Sequence, residues 1–337
     1  MKGTKPLILN ALSALRKNID RTGDPLGFKG VYWTRWAEDR KFPDKGMTLL
    51  VTARMYQMLP YITQAAELMT TARPIISRKG LGFFLDMGNR LAGESLIRLK
   101  ARGAHRIKEK GTKTLQGIAA ALDAAGHSLA YLYDAEPYSG ILLYDLGLND
   151  YVVHHIKGVY RLFKSRGVEE VICVDPHTTF MLKEIFPRYI GSYDLRVRHY
   201  LEVVAPEINR SGVTDRSLIP KKLVIHDSCV MTRDLGMVEE VRRVCAALKI
   251  TLLEPENTKT DTACCGGPVE YAFSDLTRQI SSLRMNELAR IHNEILVTCP
   301  ICLVNLSKYE ESLGVRVWDM GEILFEHLAE LSSPRIF

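Results

Sequence analysis

The chain of 337 residues has no run approaching ~20 apolar residues, the length a helix needs to cross a bilayer, so no transmembrane helix is expected. Its first residues, Met-Lys-Gly-Thr-Lys-Pro, lack the apolar core of a signal peptide. Charge of one sign is scarce: 45 basic against 39 acidic residues leave only +6. No aromatic-interleaved basic motif accompanies that excess, so nucleic acid is not an expected partner. There is no Cys-x-x-Cys-x-x-Cys run of the ferredoxin kind. The seven cysteines are odd in number and tightly clustered. That excludes a disulfide framework and points to the reducing cytoplasm. What remains, 46% apolar and 25% charged residues, is the composition of an ordinary globular protein. The length allows about two domains and a large core.

Five of the seven cysteines fall within 74 residues, in three groups. They are His226-Asp-Ser-Cys229, Thr262-Ala-Cys-Cys-Gly-Gly-Pro268 and Cys299-Pro-Ile-Cys302. Adjacent cysteines rarely bond to each other, because disulfide geometry is demanding. Both can instead point into one inorganic core. A lone Cys-x-x-Cys would be a weak signal, shared by zinc sites and redox dithiols. Zinc asks for four tetrahedral ligands, typically as paired knuckles, and the adjacent pair does not match one. Iron–sulfur chemistry, whose usual ligands are thiolates, fits five cysteines better. Cys173 and Cys245 lie outside the groups and read as core residues.

The three motifs together resemble the cysteine-rich "CCG" domain of the catalytic B or D subunits of heterodisulfide reductases. Arg233 and Arg284 beside them agree with it. The resemblance implies one noncubane [4Fe-4S] cluster held by Cys229, Cys264, Cys265, Cys299 and Cys302. Gly266 and Gly267 would let backbone N–H groups approach its sulfurs. His226 is a candidate for hydrogen bonding or proton donation there. The activity implied is disulfide/thiol redox chemistry in a multi-subunit oxidoreductase. A ferredoxin-type partner would supply electrons, and a flavin subunit and a small-molecule or protein-bound disulfide are further expected partners. An accessory electron-transfer subunit of a lactate- or glycolate-type dehydrogenase, and a non-catalytic subunit with a structural zinc, are the alternatives.

Strand-like and helical stretches alternate, which favours parallel α/β layers. Helices are expected over 7–20, 117–125, 159–165, 238–248 and 275–291. Strands are expected over 48–52, 128–133, 168–174, 223–226, 250–253 and 294–298. A basic, helical insertion is expected over about 78–113, where ten Lys or Arg oppose three acids. It is a packed, solvated helix or a docking face for a membrane surface or acidic partner.

The chain also repeats itself. Val174-Asp-Pro-His-Thr178 aligns with Thr298-Cys-Pro-Ile-Cys302, and Glu136-Pro-Tyr-Ser-Gly140 with Thr262-Ala-Cys-Cys-Gly266. Tyr138, Ser139, Asp175 and Thr178 thus stand where the second half has cysteines, with His177 beside them. The missing first cysteine falls near Ala53–Arg54. The resemblance therefore implies two pseudo-symmetric, Rossmann-like α/β halves. The divisions expected are an N-terminal extension (1–45), a degenerate half (46–215) and an intact cluster-binding half (216–337). Side chains such as Tyr, Ser, Asp and Thr cannot hold a low-valent cluster, whose iron prefers soft thiolates. A hard-ligand metal site from Asp175, His177 and His154–His155 is conceivable, but a vestigial loop is the simpler reading.

Overall fold

Among the described residues, seven short parallel strands make two separate sheets, each with helices supplied by the connections between strands. A computed structural model of the chain describes residues 4–62, 64, 99, 101–208, 220–268 and 270–332. The expected α/β architecture is present. Helix α1 (Thr4–Thr22) is followed by β1 (Thr48–Val51), α2 (His105–Ala124), α3 (Ile141–Asp145), α4 (Asn149–Ser165) and β2 (Glu170–Cys173). Then come α5 (Pro176–Phe180), β3 (Arg196–His199) and α6 (Tyr200–Glu207). The second sheet begins with β4 (Lys222–Ile225), α7 (Glu239–Ala247), β5 (Thr251–Leu253) and α8 (Glu270–Ile291). It ends with β6 (Glu294–Val297), α9 (Pro300–Leu306), β7 (Arg316–Asp319) and α10 (Met320–Ser332). Most of the expected insertion, 78–98 and 100, lies outside the described residues. Of the rest, 105–113 form the start of α2.

The sheet orders are β1-β2-β3 and β5-β4-β6-β7. The expected strand over 128–133 is reduced to a single parallel bridge between Ala130 and Leu49. The cause is local: Tyr131 N–H turns to the carbonyl of Pro43, and Tyr133 takes a left-handed φ of 51°. With the bridge counted on the outer side of β1, both sheets have one order. Consecutive strands then lie on either side of β1 in one sheet and of β4 in the other. In such sheets ligands sit beyond the carboxyl ends of the strands where the order reverses.

The strand interiors are apolar on both faces. Leu49, Leu50, Val51, Val171, Ile172, Leu223, Val224, Ile295 and Leu296 are all buried. That pattern is the one that parallel sheets covered on both sides require. The helices show apolar stripes at intervals of three and four: Val152, Ile156, Val159 and Phe163 on α4, and Leu115, Ile118 and Leu122 on α2.

The halves exchange helices. The last helix of the second half, α10, packs on α2 of the first, and α6 of the first packs on α7 of the second. At the α2–α10 crossing a Cβ on Gly117 would lie 2.0 Å from the Gly321 carbonyl, so only glycine allows this approach. Beside it, Lys110 Nζ meets Glu310 Oε1 at 2.6 Å in a buried pair, and also donates to the Val317 carbonyl. Tyr56 of the first half donates its hydroxyl to Asp319 Oδ2 at 2.8 Å, at the end of β7.

Candidate metal centre

The carboxyl ends of β4 and β6 deliver the cysteine motifs. His226-Asp-Ser-Cys229 leaves β4, and Cys299-Pro-Ile-Cys302 leaves β6. Cys299 occupies the N-cap position of α9 with extended φ and ψ of −141° and 131°. Pro300 sits at the first helical turn, where its fixed φ suits the helix and its missing N–H costs nothing. Cys302 follows on that same turn. The Cys264–Cys265 pair arrives on the loop between β5 and α8.

That loop is tightly tied. Asp227 accepts from Arg242 at 2.9 Å, from the Lys259 N–H at 2.7 Å and from the Thr258 hydroxyl at 2.9 Å. Thr262 donates to the Asp227 carbonyl at 3.0 Å. Arg233 donates to the carbonyls of Thr260 and Thr262. Gly266 has a φ of 93°, and a Cβ there would meet the Thr277 carbonyl at 2.8 Å. Its N–H donates to Cys264 Sγ at 3.3 Å, a hydrogen bond that the bare glycine allows. Gly267 enters Pro268 through a cis peptide.

The five thiols form one continuous group. Each thiol is near enough to the next to shift its ionisation: Cys229 with Cys264, Cys264 with Cys265, Cys265 with Cys302, and Cys302 with Cys299. Hydrogen bonding with Cys229 and Cys265 holds the Cys264 thiol well below the usual thiol range. Burial opposes ionisation of Cys299, but hydrogen bonding from Cys302 and His177 outweighs it. The proton-sharing partners Cys229, Cys265 and Cys302 are raised. Like charges this close cannot all ionise unaided. A set of five packed thiols becomes stable as thiolates only around cations. The donor set therefore fits a soft, multi-iron centre rather than a single tetrahedral ion.

His226 is aimed at this group. Arg284, itself buried, donates from Nε to His226 Nδ1 at 3.1 Å. Burial, with the Arg284 charge beside it, lowers the His226 pKa to about 3, so the ring is neutral. With Nδ1 accepting, the ring proton lies on Nε2. Nε2 is buried with no protein partner. The donor atoms of His226, Cys265 and Cys302 lie within 4.8 Å of one another. An orphaned N–H facing sulfurs is what a cluster-supporting donor needs.

The first half repeats the geometry without the ligands. Asp175 caps α5 with φ and ψ of −142° and 155°, followed by Pro176, as Cys299 precedes Pro300. Gly140 has φ 87°, matching 93° at Gly266. Counting from the strand ends, Met55 corresponds to Cys229, one residue beyond the pair expected from sequence. Polar groups fill the place instead. Glu136 accepts from Thr52 N–H and hydroxyl, Ala53 N–H and Tyr131 hydroxyl. Arg54 donates to the Glu136 carbonyl at 2.6 Å and pairs with Asp24 of the extension at 3.4 Å.

The expected degenerate residues divide into two groups. Tyr138 folds back so that its hydroxyl accepts from Leu142 N–H at 3.1 Å, and Ser139 Oγ accepts from Ile141 N–H. Asp175 Oδ1 accepts from Thr178 N–H at 3.0 Å. The helix that carries His177 and Thr178 packs against residues 230–234 of the second half, and the charge of Cys299 is felt at His177. Burial opposes its charge, but the Cys299 thiolate, Asp175 and Asp145 outweigh it, and its pKa is pushed up to about 9. His155 is engaged with the Tyr138 carbonyl at 2.7 Å. Among the described residues, His154, His155, Asp175 and His177 do not gather into a metal-binding group. Cys173, at the end of β2, and Cys245, on α7, are buried away from the site, as expected of core residues.

Sequence reasoning missed a cavity of about 510 Å³ in the first half, walled by Tyr32, Trp33, Trp36, Tyr56 and Tyr61 with Arg35 and Lys108. Its one sequence signal is the aromatic stretch around Trp33 and Trp36. Tyr56 links it, through Asp319, to the surroundings of Cys299.

Residues 223–307 match the model of the CCG family, described as a cysteine-rich domain. All five clustered cysteines lie inside the match. The chain is 29% identical, over 61% of its length, to the EtfAB:quinone oxidoreductase of Syntrophomonas wolfei subsp. wolfei. It is 25% identical, over 58% of its length, to a probable membrane-anchored ferredoxin of Chromohalobacter salexigens. The matched region spans 30% of each relative. Among the described residues, no helix is long and apolar enough to cross a membrane.

Proposed function

We propose that this chain is an iron–sulfur electron-transfer subunit of an oxidoreductase complex, with one cluster bound by Cys229, Cys264, Cys265, Cys299 and Cys302. The single observation that carries the reading is the run of five interacting thiols around the carboxyl ends of β4 and β6, with a ring nitrogen of His226 within 4.8 Å of the Cys265 and Cys302 sulfurs. Iron–sulfur chemistry supplies one-electron transfer at that place. The chain's own residues hold the ligands, orient His226 through Arg284, and exclude water by burial of Cys265, Cys299 and Cys302. Residues 216–337 are the cluster-binding unit, 46–215 its wall and 1–45 an extension that closes the wall. The five-cysteine set favours a noncubane [4Fe-4S] cluster over a four-cysteine cubane. Its partners are a ferredoxin-type subunit and a flavoprotein.

With polar side chains in the vestigial place, electrons pass singly. That favours a relay over two-cluster disulfide cleavage. A second reading is favoured by the aromatic cavity: an aromatic acceptor such as a quinone is received there, in line with the name of one relative. A soluble naphthoquinone that neither binds nor is reduced by the photoreduced protein removes it.

The test of the main reading is anaerobic purification with iron and acid-labile sulfide analysis. The expected result is about four of each per chain, with a visible absorbance that bleaches on reduction. Cys264→Ser is expected to lose it. One zinc with no sulfide overturns the reading.

A further inference from the structure

We propose that the aromatic cavity of the first half binds an anionic ring compound: a planar conjugated ring that carries an acidic group such as a carboxylate, sulfonate or phosphate. The inference rests on the second reading above, in which the cavity receives a ring. It adds a negative charge to the ligand, which sets it apart from a neutral quinone.

The walls are built before any ligand arrives. Trp33 and Trp36 lie on two short 3₁₀ turns, Gly30–Trp33 and Arg35–Ala37, and both indoles are buried. Tyr56, also buried, and Tyr61 complete the aromatic lining. Each ring is held by a partner. Trp33 stacks on Phe28 with centroids 5.3 Å apart, and Tyr61 stands edge-on to Trp33 at 5.5 Å. Trp36 Nε1 donates to the Tyr131 hydroxyl at 3.2 Å, and Tyr56 donates to Asp319 Oδ2 at 2.8 Å. The space they enclose, about 510 Å³, has the size of a small-molecule site. Walls already ordered lose little freedom on binding, and aromatic faces suit a flat conjugated guest.

The mouth is basic. Arg35, His105 and Lys108 border the space and are exposed, and no aspartate or glutamate is among the described residues that line it. The other basic residues of α2 are neutralised. Arg106 and Lys110 pair with Glu310, and Lys113 pairs with Glu109 and Glu326. Arg40, just past the second 3₁₀ turn, pairs with Asp123. Among the described residues Arg35 and Lys108 enter no ion pair. The nearby carboxylates are thus taken up, and two cations are left where the cavity opens to water. Charges beside a recess with low-dielectric walls act on a ligand more strongly than charges in open solvent. A guest with its ring among Trp33, Tyr56 and Tyr61 and its acidic group at the mouth uses both features. Its acid accepts charge-assisted hydrogen bonds from Arg35 and Lys108. A neutral ring leaves the cations unused, and a small inorganic anion leaves the aromatic wall unused.

The experiment is isothermal titration calorimetry of the full chain, purified anaerobically, with naphthalenesulfonate, its neutral analogue naphthalenesulfonamide, and methanesulfonate, which has the charge without the ring. Naphthalenesulfonate is expected to bind about tenfold more tightly than the sulfonamide, the scale of one charge-assisted hydrogen bond, and to weaken as salt is raised. Methanesulfonate is expected not to bind. The double variant Arg35→Gln with Lys108→Gln should bring naphthalenesulfonate to the affinity of the sulfonamide and leave the sulfonamide unchanged. Thr112→Trp, which fills the cavity from α2, should remove both. Ala101→Phe, on the same lining, replaces it should that variant fail to fold. Absence of binding by either ring compound defeats the ring reading of the cavity together with this inference. Equal affinity for naphthalenesulfonate and its amide leaves the ring reading standing and defeats this inference alone. Methanesulfonate binding as tightly as naphthalenesulfonate, or naphthalenesulfonate binding that survives the filling variant, also overturns it.

Discussion

Replacing Asp319 with Asn changes how stability depends on pH, and the structure fixes the sign. Asp319 is fully buried at the end of β7, where Oδ1 accepts from Gly321 N–H and Oδ2 from the Tyr56 hydroxyl, both at 2.8 Å. Burial pushes its pKa up to about 7, against the opposing effect of those two hydrogen bonds. An unfolded aspartate titrates near ~3.9. Below the unfolded value both states hold the proton, and the side chain imposes no penalty. Between ~4 and about 7 the unfolded chain ionises while the folded one does not. Stability contributed here is therefore complete at low pH and is lost as pH rises through the folded pKa. The slope is about 1.4 kcal/mol per pH unit, and the whole window amounts to at most ~4 kcal/mol. The amide that replaces the carboxyl in Asp319→Asn does not titrate, so the variant should escape the loss. It gives up one acceptor, at a pH-independent cost of about 1 kcal/mol. The assay is urea unfolding of the cluster-free, reduced protein at pH 5, 6, 7 and 8, comparing Asp319→Asn with wild type. The advantage of the variant over wild type is expected to grow from less than about 1 kcal/mol at pH 5 to about 3 kcal/mol at pH 8. A difference between the two proteins that stays constant across the series would refute the reasoning.

Lys110→Met leaves the buried Glu310 carboxylate at the seam between the halves with the exposed Arg106 as its ionic partner, and a loss of at most about 3–5 kcal/mol is expected by the same unfolding assay. The double change Lys110→Met with Glu310→Gln should recover a large part of it, since no unpaired charge remains. Gly266→Ala forces a positive φ on alanine and drives its Cβ against the Thr277 carbonyl, costing on the order of 1–3 kcal/mol locally. Iron release to a chelator should accelerate in that variant while the remaining fold survives by circular dichroism. Cys245→Ser buries a hydroxyl in the α7 interface for about 1–3 kcal/mol, and its iron content should equal that of wild type.

Much of the architecture was legible because parallel sheets advertise themselves. Leu223–Ile225 and Ile295–Val297 are apolar without interruption, and their strands stand where the residue pattern puts them. Strands β3 and β7 were not legible. Arg196-Val-Arg-His and Arg316-Val-Trp-Asp are short, and polar residues at both ends hide two or three buried positions. The segment 128–133 failed in the other direction: its residues suit a strand, but Tyr133 turns out of the sheet after one bridge. The repeat was visible through motif spacing alone, because loops that cap helices keep their proline and glycine after their ligands are gone. What filled the vestigial place was not visible. Asp24, Arg54 and Glu136 are far apart in sequence, and nothing in their local pattern marks them as a network. The approach of His177 to Cys299 spans 122 residues and depends on how the two sheets face each other, which no local period encodes.

The loss of thiolates from one half has a physical consequence for the other. A buried loop of cluster-binding shape but without thiolates leaves backbone N–H groups and carbonyls pointing inward, and each needs a partner. In the first half Glu136 serves the Thr52 and Ala53 N–H groups, Asp175 serves Thr178, and Arg54 serves the Glu136 and Asp134 carbonyls. Arg54 in turn pairs with Asp24 from the N-terminal extension, which ties that extension across this end of the sheet. The place is thus closed by an ion-paired polar plug. Such a plug cannot accept an electron, so on the proposed reading charge enters and leaves by the single cluster. Two-electron chemistry then requires either a partner that stores the second electron or an acceptor that tolerates a one-electron state. A disulfide is poor in the second respect, whereas a conjugated ring of the kind the aromatic cavity would admit is good in it. The same plug that removes one cluster therefore also narrows which acceptors the remaining one can serve.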